Sequence, residues 1–186
     1  MKKAISIITA LIISVFAAYA QEYPSEAGIY VVKEGNHISI PFVRGSKVGV
    51  GGFGIVSNFK YVFKGEKADI EATGEFLLVT DPNLEKPDKS NKNYNPFVNT
   101  VTPENVYIIP FEIKGGKRIY KIGLAMDVVD FKDKRDDSVP FTSEKLADNV
   151  YSIKTENLQP GEYGIFIRTK GLHMVDWMFM YGVTVK

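Results

Sequence analysis

The sequence predicts an antiparallel β-sandwich, with a closed β-barrel as the alternative architecture. Three observations carry this reading. Branched and aromatic residues alternate with polar ones between clusters of Gly, Pro, Asn and Asp. Tyr and Phe, which fit pleated surfaces, number 10 and 12 among 186 residues. The links between apolar runs leave little room for parallel crossovers.

Taken in order, the runs Gly28 to Lys33 and His37 to Val43 flank Glu34-Gly35-Asn36, a short link of the kind that closes a hairpin. Lys47 to Lys64 is long, apolar and punctuated by glycine, and predicts two strands or one strongly bent strand. Glu75 to Thr80 is a further short strand. Asp81 to Pro96, rich in Asn, Lys, Asp and Pro with few groups to bury, predicts a loop. Loops of this length are often functional, and Tyr94 within it is the first place to look for binding.

Val106 to Lys114 and Lys117 to Met126 form the clearest hairpin, because Gly115-Gly116 supplies the positive φ that a tight primed turn needs. Asp127 to Asp137 carries both charge signs and predicts an exposed connection. Thr142 to Asn149 predicts one or two helical turns, with Thr142 or Ser143 as N-cap. Three strands close the chain: Val150 to Thr155, Gly161 to Arg168 and Trp177 to Lys186. In the last, Trp177, Phe179, Tyr181, Val183 and Val185 share one face while Met178 and Met180 share the other, which predicts a central strand buried on both sides. The total is about eight to ten strands, and no internal repeat is visible.

The N-terminus addresses the protein. Lys2 and Lys3, the apolar run Ala4 to Phe16, and Ala18-Tyr19-Ala20 before Gln21 make a secretory signal peptide with an A-x-A cleavage site, so the expected mature chain is a single domain over residues 21–186, periplasmic or extracellular. A domain of that length can bury about 70% of its unfolded surface. The chain has no cysteine, which removes disulfides, thiolate metal sites and cysteine nucleophiles together. Loss of Lys2 and Lys3 lowers the basic count from 23 to 21 against 22 acidic residues, a net charge of −1. So nearly neutral a protein has no strong field to draw nucleic acid or an anionic membrane, and no later stretch reaches the ~18 apolar residues of a spanning helix.

Asn157-Leu158-Gln159-Pro160-Gly161-Glu162-Tyr163 resembles the L-x-P-G-E-Y motif that opens a penultimate strand in uncharacterised secreted bacterial β-sandwich proteins, and Tyr181-Gly182-Val183 is similar to the step in their final strand. The resemblance covers about the last 40 residues and implies an immunoglobulin-like or related sandwich. Physically, Pro160-Gly161 fits the centre of a type II turn with glycine at positive φ, after which Tyr163 and Ile165 face one way and Phe166 the other.

Candidate sites compete with plainer readings. Gly49, Gly51 and Gly54 match G-x-G-x-x-G, yet Ile55 to Phe63 reads as strand where a dinucleotide site needs a helix, so a glycine bulge is the better account. His173, Met174, Met178 and Met180 have the ligand chemistry of a Cu(I) carrier, against which stands methionine as core filler. Asp127, Asp130, Asp133, Asp136 and Asp137 lack the spacing of a calcium loop and are interleaved with Lys132, Lys134 and Arg135. A serine triad has only His37 and His173 to draw on, while paired carboxylates for a hydrolase remain open to any fold. No catalytic, cofactor or metal residue is assigned. The function expected is a non-enzymatic binding or structural module of the cell envelope, its partner a protein or glycan met by loops or by an exposed strand edge. The alternatives are a secreted hydrolase and a periplasmic copper-binding protein.

Overall fold

A computed structural model describes residues 22–52, 55–88, 95–124, 138–168 and 179–186, and its side-chain description omits 47, 50, 51, 52, 55–59 and 122–124. The elements are β1 Gly28–Lys33, β2 Asn36–Ser39, β3 Phe42–Arg44, β4 Ser46–Gly52, β5 Ile55–Lys64, β6 Glu71–Ala72, β7 Glu75–Val79, a 3₁₀ turn Pro103–Asn105, β8 Val106–Pro110, β9 Glu112–Ile113, β10 Lys117–Leu124, β11 Phe141–Ala147, β12 Val150–Thr155, β13 Gly161–Ile167 and β14 Phe179–Val185. The expected all-β, antiparallel sandwich is what the chain forms, and it is not closed into a barrel. Two short parallel contacts among the described residues are exceptions, β6 beside β14 and the bridge Gly65–Lys117.

The strands make three sheets: β11-β12-β7-β1-β2, β3-β14-β13-β8 with β6, and β4-β5-β10-β9. Side-chain alternation stacks them. Tyr163, Ile165, Ile167, Tyr181, Val183 and Val185 bury one face of the second sheet against Ile29, Val31, Phe76, Leu78 and Ile153 of the first. Phe166 and Met180, with Tyr107 and Ile109 of β8, bury its other face against Tyr61, Phe63 and Tyr120 of the third. The second sheet is therefore the middle layer, and β13 and β14 are apolar on both faces because both faces are covered. That is the arrangement expected of the final strand; Trp177 and Met178 lie outside the described residues.

Turns follow local chemistry. Glu34 and Gly35 both take positive φ, 51° and 78°, and join β1 to β2 in register Lys33 with Asn36. Gly115 and Gly116, at 59° and 69°, close β9 on β10 as expected. The predicted strand Val106 to Lys114 is nonetheless two strands in two sheets. Phe111 is the corner: its N–H still bonds to the Glu162 carbonyl at 2.9 Å beside β8, and the next residue pairs with β10. The chain makes the same change of sheet between β3 and β4 at Gly45, where a Cβ would lie 2.5 Å from the Phe63 ring.

Two expectations are corrected. Thr142 to Asn149 is not helical but forms β11, paired with β12 from Phe141–Thr155 to Ala147–Val150; two turns of helix offer too few internal bonds to compete with a ladder. Pro160-Gly161 is not a type II turn, since the positive φ falls at Asn157, 56°, and Gly161 already pairs with Val185 in β13. The described part of Asp81 to Pro96 forms no strand or helix, as expected of a loop, and it is anchored where Asp88 and Asn95 exchange backbone bonds of 3.0 and 3.1 Å and where Leu84 packs on the main core.

The L-x-P-G-E-Y segment has a different physical role, a tyrosine corner. Tyr163 donates its hydroxyl to the Gln159 carbonyl at 2.8 Å, and Tyr30, at the start of the chain, does the same to Glu26 at 2.8 Å. Gly28-Ile29-Tyr30 and Gly161-Glu162-Tyr163 thus pin the entries of two strands in two facing sheets. Burial pushes both hydroxyls above their usual value of 10.0, with the Glu26 charge adding at Tyr30. Because the folded state holds these protons more tightly, their contribution is complete below pH 10 and fades as the pH rises beyond it. Tyr163→Phe should cost about 1 kcal/mol at neutral pH. Denaturant titrations at a series of alkaline pH values should show Y30F/Y163F losing less further stability above pH 10 than the parent; equal slopes would refute the assignment.

Candidate functional site

The feature most open to a partner is the outer edge of β11. Thr142 to Leu146 are all exposed, and β11 ends its sheet with no further strand among the described residues. Which backbone groups it offers follows from the ladder. Thr155 donates to the Gly74 carbonyl at 2.9 Å, so its backbone faces β7; Lys154 then faces β11 and pairs with Thr142, and Ser152 pairs with Glu144. The Ser152 hydroxyl reaching the Glu144 carbonyl at 3.4 Å agrees. Phe141, Ser143 and Lys145 therefore point their N–H and C=O groups away from the sheet. The strand's far end is bounded by a bulge between Lys145 and Ala147 and by a Lys145–Asp148 ion pair of 2.9 Å. Hydrogen bonding within that pair, and then its charge, raises the lysine and lowers the aspartate from their usual values.

A second surface feature is an open depression of about 430 Å³ where β8 and β10 diverge, lined by Ile109, Pro110, Glu112, Ile119, Tyr120 and Lys121. Its charges neutralise each other: Glu112 accepts a bond from Lys121, which holds its carboxyl below the usual range. One carboxylate tied to an ammonium is not a pair of carboxylates facing a substrate.

The interior holds a polar node between the middle and third sheets. Arg118 of β10 is only 4% exposed, and its Nη2 donates to the Lys64 carbonyl at 3.0 Å, while Nε and Nη1 have no hydrogen-bond partner. Its guanidinium lies over Gly182 of β14, where a Cβ would come within 2.6 Å of Nη1. Desolvation lowers its affinity for the proton, opposed by the charges of Glu162 and Asp69. Glu162, 7% exposed, accepts from Thr184 Oγ1 at 2.6 Å and from the Ala68 N–H at 2.8 Å. Sequence reasoning missed this node, although an arginine and a glutamate within otherwise apolar strands were the available signal.

Among the described residues, those singled out from sequence do not converge. Met180 is fully buried among Tyr61, Phe63, Tyr107 and Phe166, a core position; His173, Met174 and Met178 lie outside the described residues, as do Tyr94 and the aspartates from Asp127 to Asp137. Gly49 and Gly51 sit in β4, whose register shifts between Val50 and Gly51, and a strand follows instead of a helix; Gly54 is outside the described residues. His37 stacks on Tyr23 with ring centroids 6.2 Å apart, and its Nε2 has no hydrogen-bond partner. Among the described residues no three of His, Cys, Asp and Glu group as a metal site would require, and no helix is long and apolar enough to cross a membrane. Comparison of the chain with protein-family models, characterised proteins and solved structures gives no match in any of the three.

Glu162→Ala should be costly, because it removes the buried carboxylate that the Thr184 hydroxyl and the Ala68 N–H bond to, and a counter-charge of Arg118. A loss of about 3 kcal/mol in urea unfolding is expected. A change under 1 kcal/mol would show that the node is not electrostatically closed.

Proposed function

We propose that this protein is an exported, non-enzymatic binding or structural module of the cell envelope, and that it engages a protein partner by strand addition along β11. The observation that carries the reading is the edge itself: five consecutive exposed residues, with the backbone groups of Phe141, Ser143 and Lys145 turned outward. An extended segment gains main-chain hydrogen bonds there without displacing anything in the β12 ladder. The mixed charges Glu144 and Lys145 suit an edge that must resist indiscriminate aggregation while admitting a matched strand. A glycan partner draws less support, since such sites favour exposed aromatic faces and β11 has only the half-buried Phe141. The leader read in residues 1–20 supports export, and mature protein should begin at Gln21 on N-terminal sequencing of the exported fraction.

The test follows from the ladder. Ser143→Pro removes an outward N–H and leaves the bonds to β12 in place, an edge position where proline is tolerated. A photo-crosslinker at Ser143 in exporting cells should give a discrete protein adduct, and the same probe at Ile113, exposed on β9, should not. S143P, probed from Thr142, should reduce that adduct at least tenfold with the unfolding midpoint nearly unchanged. Adducts of equal yield at Ile113, or an adduct indifferent to S143P, would remove β11 as the site.

A further inference from the structure

The buried arginine asks for an account that fold stability does not provide. A guanidinium 4% exposed with two N–H-bearing atoms unbonded is a cost, and the described residues that form the core between the middle and third sheets are otherwise apolar. Its location is informative. The third sheet is made of two excursions from the middle sheet. The first leaves β14's edge after β3, runs through β4 and β5, and returns to the same edge as β6; the second leaves β8 at Phe111 and runs through β9 and β10. β3 pairs with Phe179 to Tyr181 and β6 with Thr184 and Val185, so Gly182 and Val183 lie in the gap at the foot of the first excursion. Arg118 comes from the second excursion and reaches into that gap: Nη2 bonds to Lys64, the last residue of β5, and Nη1 rests over Gly182. One side chain thus joins both excursions to the middle sheet, between the charges of Glu162 on β13 and Asp69 before β6.

Among the described residues the apolar support is uneven. The contact between first and middle sheets buries an extended set of branched and aromatic side chains, whereas Tyr61, Phe63 and Tyr120 are the described buried apolar residues that the third sheet offers to its core. Elements with the smaller buried apolar contact are the first to open.

We propose that the third sheet opens from the middle sheet as one cooperative unit, bending at Gly45 and Phe111, and that Arg118 is the latch that keeps it closed. Gly182 is the matching half: only a residue without Cβ leaves space for the guanidinium.

Residue-resolved amide hydrogen exchange on the purified protein, under conditions that favour the folded state, tests both parts. In the parent, amides of β5 and β10 should exchange together through an opening at least tenfold more frequent than that exposing β1, β7 and β12. Gly182→Ala displaces the guanidinium while leaving Arg118 present, and should raise exchange in β5 and β10 tenfold or more without changing β1, β7 and β12. Arg118→Met should do the same, and adding G182A to R118M should then have little further effect, because Nη1 is gone. Uniform exchange of all five strands in the parent overturns the opening unit. Additive effects of G182A and R118M, or equal loss of protection in every strand, overturn the latch. A variant that fails to fold leaves the parent profile and the other single variant to decide.

Discussion

Burial of the middle sheet on both faces is the constraint on which the rest of the molecule depends. A strand covered on one side needs apolar residues at every second position, but β13 and β14 need them at nearly all. That requirement explains G-E-Y-G-I-F-I and F-M-Y-G-V-T-V, and it explains the glycines opposite each other at Gly164 and Gly182. Where two sheets approach the same strand pair, a large side chain from outside needs space, and the missing side chains provide it: Phe111 occupies the space over Gly164 and Arg118 that over Gly182. With both faces taken, the middle sheet can meet other chains only at its edges, and these are occupied too. β3 and β6 share one, and on the other Ser138 Oγ and the Val139 N–H bond to Ile108 at 3.0 and 2.7 Å. Besides β3, the remaining terminal strands among the described residues belong to the outer sheets, β11 and β2 in the first and β4 and β9 in the third.

Much of this was legible in the sequence where the determining chemistry is local. Glu34-Gly35 and Gly115-Gly116 announce primed turns because positive φ is a property of a residue or two, and the two-sided apolar pattern of the final strand announces its burial. The sheet to which a strand belongs is not a local property. Val106 to Ile113 is a nearly continuous apolar run, and Pro110 alone hints at the corner beside it, where Gly164 leaves room for the Phe111 ring. Thr142 to Asn149 misleads for a related reason: Lys145 and Asp148 have helical i,i+3 spacing, yet their ion pair closes the turn between two strands, and Asn149 takes the positive φ, 62°, that this turn requires.

The candidate site was less legible still. The edge character of β11 depends on where β12 and β7 sit, and so on pairings that span the chain from Phe76 to Ile153. The burial of Arg118 was hidden by its neighbours, because Lys117 and Lys121 make K-R-I-Y-K a run with charge at three of its five positions. Its pattern is that of an exposed strand, and its environment is that of an interface between sheets.

Arg118 and Glu162 also bear on how the third layer is held. Replacing such a pair by apolar groups of similar volume is often neutral or stabilising, while removing one member alone is costly. Three rings from β5 and β10 already supply apolar contact, and a fourth apolar side chain at position 118 would extend it without directional preference. A guanidinium differs in that its one hydrogen bond, to Lys64, its place over Gly182 and its nearness to two carboxylates go together at one geometry. Its cost is greater in any closed state that loses them. The polar node therefore narrows the positions in which the third sheet can dock, and it makes departure from the docked position abrupt, which a purely apolar contact of the same size would not.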